Sequence, residues 1–395
     1  METISPAKPR IASIDALRGL TVAFMILVND PGDWSHVYPP LDHAEWNGFT
    51  PTDLVFPMFL FLVGCSIVFS INSRLARGDS KLAIALQIFR RAATIFAIKM
   101  FLSAYPHFHL THLRIYGVLT RIAFCYLIAG LLFLYVRSVR ALAAITVALL
   151  VGYWLLMRFV PIPGLGHPVH DFPILDPDRN LTAWLDRGVN AWCRRWLHTG
   201  RLYEQTRDPE GLLSTLPALA TTLFGIFAAL WIRARQSVNK TLNVLLAAGL
   251  LSLTLALLWN PWFPINKKLW TSSYVLFAGG WSLVGLALGY WLLDSKRFQE
   301  RSRTVRALVW PLLVYGSNAI TAYVFSEFLV ETLLLWKLPP DAAGHTLTAW
   351  AWSYFHLFAR NRSTENTSLA FALAYVVVCF VPNWLLWRRK IFLRV

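Results

Sequence analysis

PTDLVFPMFLFLVGCSIVFSIN, residues 51–72, decides the fold. From Leu54 to Ile71 it carries no charged side chain, and an α-helix needs about 20 such residues to cross a hydrocarbon core of about 30 Å. The run ends in SRLAR, whose Arg74 and Arg77 mark the point where the chain returns to water. Working outward, comparable runs occur near 11–29, 82–103, 113–136, 139–160, 212–232, 241–259, 269–293, 308–335 and 368–387. The pattern predicts an all-α membrane protein, a polytopic helix bundle of about ten transmembrane helices.

Composition agrees. Of 395 residues, 56% are hydrophobic and 15% charged, with a mean hydropathy of +0.49, whereas soluble domains carry about 25% charged residues. The 18 Trp, 13 Tyr and 26 Phe suit the two membrane interfaces. A net charge of +16 raises the question of nucleic acid, but the Lys and Arg fall between apolar runs and not on a basic, aromatic-interleaved module. Met1 to Arg10 is short and polar, with no small-residue cleavage site, so Ile11 onward is read as a retained first span. Cys65, Cys125 and Cys379 fall in apolar runs and Cys193 in a polar loop, which implies no disulfide framework.

Orientation follows from the basic residues. One set of connectors holds Lys8 and Arg10, Arg74 to Arg91, Arg137 and Arg140, Arg233 to Lys240, Lys296 to Arg306, and Arg388 to Lys390; the alternate connectors 30–50 and 103–112 hold neither Lys nor Arg. The positive-inside rule then predicts both termini in the cytoplasm. It also makes 347–358 a short helix on the outer face, because a further crossing would export the basic C-terminus. The longest polar connector, about 161–211, is predicted to carry an amphipathic helix from Leu181 to Leu197. No convincing internal repeat is visible, which weakens the reading as an amino-sugar transporter.

The most informative loop is NDPGDWSHVYPPLDHAEWNGFTPTDLVFP, from Asn29 to Pro57, which gathers His36, His43, Glu45, Asn47 and Asp53 at the mouth of the bundle. It reads either as an interfacial loop with solvated acids and Trp anchors or as a site. Here the chain resembles the heparan-α-glucosaminide N-acetyltransferase family of transmembrane acyltransferases. The family pattern is an Asn closing the first helix, then H-A-x-W-N-G-x-T and D-L-V-F-P, met here by Asn29, His43 to Thr50 and Asp53 to Pro57. In order along the chain follow further matches: SIDALRG (13–19), RIYGVLTRIAFCYL (114–127), DPEGLLSTLPA (208–218), PINKKLWTSSYVL (264–276) and YGSNAITAYV (315–324).

The resemblance implies acetyl transfer from acetyl-CoA, a co-substrate, to the amine of a glucosamine-type sugar. His43 is then the base and Asn29 the group that orients the acetyl or donates to the oxyanion; for Asn29 a helix C-cap is the alternative. Acetylation of His43 itself and direct transfer both fit, and direct transfer is preferred. The expected CoA-binding residues are Arg18 and Arg121, because an intramembrane arginine is costly, with Arg91 at a cytoplasmic helix entrance, where it could equally serve topology alone, and the intramembrane Asn318. Arg18 is equally placed to pair with Asp15, and Arg121 to hold a buried polar network. Glu45, Asn47, Asp53, Glu210, Asn266 and Lys268 are the expected acceptor-binding residues. Lys267, Lys268 and Asn266 on an outer connector either neutralise Asp208 and Glu210 or hold acceptor hydroxyls. His107, His109 and His112 lack an acidic or Cys companion, so no metal is expected. The resemblance further implies a single transmembrane acyltransferase domain over 1–395, a homodimer and, because the lumenal extension of the lysosomal animal members is missing, a bacterial inner-membrane form with a periplasmic outer face.

Overall fold

The computed structural model describes residues 11–234, 236–339, 346–360 and 362–393; Lys8, Arg10 and Arg235 of the orientation argument lie outside them. Among the described residues there are isolated β-bridges but no strand, and the architecture is all-helical. In chain order the first five helices are α1 (Ala12–Asn29), α2 (Val55–Ala76), α3 (Lys81–Ala104), α4 (Val118–Tyr135) and α5 (Val139–Phe159). An amphipathic α6 (Leu181–Trp196) lies in the long connector, followed by α7 (Thr215–Arg233), α8 (Val238–Trp259) and α9 (Ser272–Gly289). The last part holds a one-turn α10 (Phe298–Arg301), α11 (Arg303–Ser317), α12 (Ala319–Leu335), a short α13 (Ala349–Ser353) extended by a π turn to Ala359, and α14 (Glu365–Arg388).

Eight helices are long and apolar enough to cross a membrane, or nine if α11 and α12 count as one broken span, the make-up of a multi-pass membrane protein. Two of the ten expected runs therefore depart from the pattern. α3 has span length but carries Lys81, Arg90, Arg91 and Lys99. The run 308–335 is not one helix: it bends by 82° at Asn318. The turns at the basic end share a device, a serine that accepts a hydrogen bond from the third backbone N–H of the next helix: Ser80 for α3, Ser138 for α5, Ser237 for α8 and Ser302 for α11.

Glycine permits close backbone contact in two helix pairs. A Cβ on Gly64 of α2 would stand 2.0 Å from the Thr222 carbonyl oxygen of α7, and one on Gly225 of α7 would stand 1.8 Å from that of Phe61. The same reciprocity joins α1 to α11, where Gly19 would meet the Leu312 oxygen at 1.8 Å and Gly316 the Asp15 oxygen at 1.9 Å. Inside a membrane, where burial of apolar surface favours no particular helix pair, such close backbone approach supplies the packing. The core around these pairs includes Val22, Ile26, Leu60, Phe61, Cys65, Ala218 and Ile226, each almost wholly buried.

Candidate active site

The connectors at one end of the bundle fold over one another. The loop between α1 and α2 is pinned to the α8–α9 connector by Gly48, whose N–H donates to the Ile265 oxygen at 2.8 Å, and by the Asn266 amide donating to Asn47 at 3.2 Å. Trp46 donates to the Leu175 oxygen at 2.8 Å and so ties both to the long connector, while the Arg207 guanidinium stands 4.9 Å over its ring.

His43 stands in this frame. Its Nδ1 is 2.8 Å from Asp53 Oδ1. Asp53 is fully buried, and its other oxygen accepts from the backbone N–H of Ala44 at 3.1 Å, that of Thr50 at 2.9 Å and the Thr50 hydroxyl at 3.3 Å. A carboxylate only accepts, so this contact requires the His43 proton on Nδ1 and leaves the Nε2 lone pair available. The arrangement orients a histidine base in the way a buried aspartate does in a serine hydrolase. Tyr274 from α9 donates to the Asp53 backbone oxygen at 2.5 Å and fixes the turn from behind.

Lys267 completes the cluster. Its Nζ lies 3.0 Å from Nδ1 and 3.1 Å from Nε2 of His43, and 3.6 Å from Asp53 Oδ1. Burial drives its ammonium below the usual lysine range, against the pull of Asp53 and Glu210. Lys268 points elsewhere and donates to Glu204 at 3.0 Å.

The remaining expected residues divide between the two ends. Asn29 is the last residue of α1; it does not adopt the left-handed conformation of a helix C-cap, and no side-chain hydrogen bond ties it to His43. Glu45 and Asn47 are exposed near His43. Asn266 is fully buried and holds its own loop, accepting from the Leu269 N–H at 2.9 Å. Glu210 and Asp208 pair not with the lysines but with Arg114, at 2.5 Å and 2.7 Å. Burial opposes the Arg114 charge, yet the two carboxylates outweigh it and hold the guanidinium above its ordinary value. Sequence reading assigned no role to Arg114, although it lies inside a quoted motif, and it expected Lys267 beside Asp208 and Glu210 or an acceptor hydroxyl, not at His43 and Asp53.

At the opposite end a cavity of about 1260 Å³ opens among α1, α2, α3, α7 and the α11–α12 bend. Its wall carries Arg18, Arg74, Arg77, Arg90, Arg91 and Arg233. Arg18 donates to Asp15 at 3.0 Å, to the Gly316 oxygen at 3.2 Å and to Ser66 at 2.7 Å, so it serves the local pair while still facing the cavity. Asn318 also lines it, but both ends of its amide are engaged by the C-terminal segment, through the Ile391 oxygen at 3.1 Å and the Leu393 N–H at 2.8 Å. Arg121 does not line the cavity. It is 1% exposed, donates to Ser214 and to the Gly211 oxygen, and stands 4.9 Å over the Trp270 ring, which is the buried polar network of its alternative reading. Among the described residues no group of three His, Cys, Asp or Glu is placed to hold a metal.

A family model described as "Heparan-alpha-glucosaminide N-acetyltransferase, catalytic" matches residues 10–261. The chain is 28% identical over 436 residues to the heparan-alpha-glucosaminide N-acetyltransferase of Homo sapiens, an alignment covering 99% of this chain and 61% of the human protein. Against the Mus musculus protein of the same name it is 28% identical over 390 residues, 86% of this chain and 57% of that protein. The chain thus spans about three fifths of the length of these relatives.

Proposed function

Because this chain belongs to the heparan-alpha-glucosaminide N-acetyltransferase catalytic family, we propose that it is a transmembrane acyltransferase that moves an acetyl group from acetyl-CoA to the amine of a glucosamine-type sugar. Acetyl-CoA binds at the arginine-rich end, in the cytoplasm of a bacterial cell, and the sugar approaches from the periplasm at the His43 end. The observation that carries this reading is the pairing of a large basic cavity at one end with an Asp-oriented histidine at the other.

Cavity size and charge suit the donor. Ligand pockets run to about 300–1,000 Å³, and this one, at about 1260 Å³, has room for a nucleotide with a long arm. Six arginines face it against Asp15 and Asp79, leaving an excess of positive charge for phosphates. Along α2 the lining extends from Arg77 up to Phe59, about 27 Å at ~1.5 Å per residue. A further stretch of about 9 Å by the same rise separates Phe59 from Asp53, and buried Val55 and Phe56 occupy it.

The step balances as follows. The neutral acceptor amine attacks the thioester carbon, a C–N bond forms, and the carbonyl electron pair moves to oxygen. His43 Nε2 takes the amine proton, and Asn29 steadies the acyl oxygen. Collapse of the oxyanion breaks the C–S bond, and the thiolate recovers the proton from His43, giving amide and thiol. Asp53 keeps Nδ1 protonated throughout.

The test uses purified protein with acetyl-CoA and a panel of amino sugars. Acetylation of glucosamine that His43→Ala abolishes, with the variant still folded, is the expected result. Uptake of the sugar into vesicles without CoA, and no acetylated product, would establish a transporter instead. A burst of acetylated protein from acetyl-CoA alone would replace direct transfer by a two-step route.

A further inference from the structure

Lys267 reaches His43 across 224 positions of sequence, and its geometry is not that of a hydrogen-bond partner. A donor to one imidazole nitrogen lies in the ring plane on that atom's lone pair. Nζ at 3.0 Å from Nδ1 and 3.1 Å from Nε2 would overlap the intervening carbon if it lay in the plane, so the ammonium stands over the ring. It therefore takes up neither lone pair. Nδ1 stays with Asp53, and Nε2 stays open beside a positive charge.

The surrounding chain is built to hold Lys267 there. The Asn266 side chain spans from Asn47 to the Leu269 N–H, the Asn266 N–H donates to Thr271 Oγ1 at 3.1 Å, and the Lys267 oxygen accepts from the Trp270 N–H at 3.0 Å. Trp270 adopts φ +52°, a left-handed conformation that a bulky residue avoids, and is clamped in it by 1% exposure and an indole bond to Thr221 at 3.2 Å. The neighbouring Lys268 is turned away to Glu204, which removes a second cation from the ring.

We infer that Lys267 is a catalytic residue that stabilises the oxyanion formed when the acceptor amine attacks the acyl donor at His43. The inference rests on the acetyl-transfer reading above. An amine handing its proton to Nε2 stands about 2.6–3.2 Å from it. With Nζ at 3.1 Å from the same atom, the ammonium lies within one group's width of the attacked carbonyl. The charge is fixed before reaction and mostly shielded from water, with 19% of the side chain exposed, the condition under which a preorganised charge acts most strongly.

Full-length protein carrying Lys267→Met, Lys267→Gln or Lys267→Arg tests this. With either neutral residue kcat falls by about 10²–10³, the cost of one oxyanion donor, while both KM values and the melting temperature stay near wild type. Lys267→Arg retains more than ten times the activity of Lys267→Met. It also shifts the alkaline fall of kcat to higher pH, because that fall reports loss of the Lys267 proton in the field of Asp53, His43, Glu210 and Lys268. A folded neutral variant within threefold of wild-type kcat would overturn the inference, as would an arginine variant no better than methionine. Wild type that acetylates no amino sugar would remove the acetyl-transfer reading and this inference together; an active wild type with an indifferent Lys267 removes only the inference.

Discussion

Asp53→Asn is the substitution whose outcome the geometry fixes most tightly. The replacement keeps shape and volume and exchanges one carboxylate oxygen for an NH₂, and the structure decides which one. Oδ2 accepts from two backbone N–H groups, those of Ala44 and Thr50, whereas Oδ1 faces His43 Nδ1. Turning the amide nitrogen toward the backbone would bury donor against donor twice, at about 1–3 kcal/mol each. The carbonyl therefore takes the Oδ2 place, and the NH₂ donates to Nδ1. His43 must then carry its proton on Nε2, where it has no lone pair to offer an incoming amine. The equivalent tautomer error in a serine hydrolase lowers kcat by about 10⁴, which at ~1.36 kcal/mol per decade is about 5.4 kcal/mol. Initial rates of glucosamine acetylation at saturating acetyl-CoA measure it, with thermal unfolding in detergent as the control for folding. A folded Asp53→Asn protein within tenfold of wild-type kcat would refute the assignment of Asp53 as the orienting acid.

Three further outcomes follow from other parts of the structure. Arg90→Ala with Arg91→Ala removes two unneutralised charges from the cavity wall; with about 1.5–3 kcal/mol for a charged hydrogen bond, KM for acetyl-CoA should rise at least tenfold at little change in kcat, and its salt dependence should weaken. Gly225→Ala drives a methyl into the Phe61 carbonyl, whereas Gly152→Ala on α5 meets nothing within 4 Å; thermal shift should show the first destabilised by about 1–3 kcal/mol and the second unchanged or improved. Burial lifts the Asp186 carboxyl in the long connector from 3.8 to about 7, so the folded chain holds a proton that the unfolded chain has released, and stability falls as pH rises through this window. At about 1.36 kcal/mol per pH unit this is on the order of 4 kcal/mol. Asp186→Asn should flatten the decline in melting temperature between pH 5 and 8, and an unchanged slope would exclude Asp186 as its source.

What could be read in advance was what repeats or stands adjacent. Apolar run length located the helices because a span must satisfy its backbone within itself, and DLVFP fixed where α2 begins. The break at Asn318 was hidden inside a continuous apolar stretch whose proline, Pro311, sits within α11 without interrupting it. Arg74, Arg77, Arg90 and Arg233 read one connector at a time as markers of orientation, and of this group Arg91 alone as an expected CoA contact; their convergence on one cavity is a property of the packing of three helices. Asp53 read as an acceptor-binding side chain at the mouth of the bundle, because nothing in TPTD says that Thr50 and Asp53 cap one another and turn the carboxylate inward. Lys267 and His43 share no spacing rule, and only the docking of two distant connectors brings them together.

Reach and seal make opposite demands on such a bundle, and the glycine pairs show how both are met. Backbone contact at Gly64 with Gly225 and at Gly19 with Gly316 leaves no room for a solvated path between the helices of either pair. What remains open runs between the pairs, along the face of α2 that carries Phe59, Val63 and Ser66. Arg18 sits on that seam, bonded to Gly316 on one side and Ser66 on the other. Three of its guanidinium bonds are already committed to protein, and a guanidinium has five N–H donors in all, so it offers a phosphate its remaining donors without releasing either pair. A donor anchored at this level needs only a narrow arm to travel the last turns of α2 past Phe56 toward Asp53. In the proposed reaction the charged head would stay at the basic end, and the acyl group alone would cross.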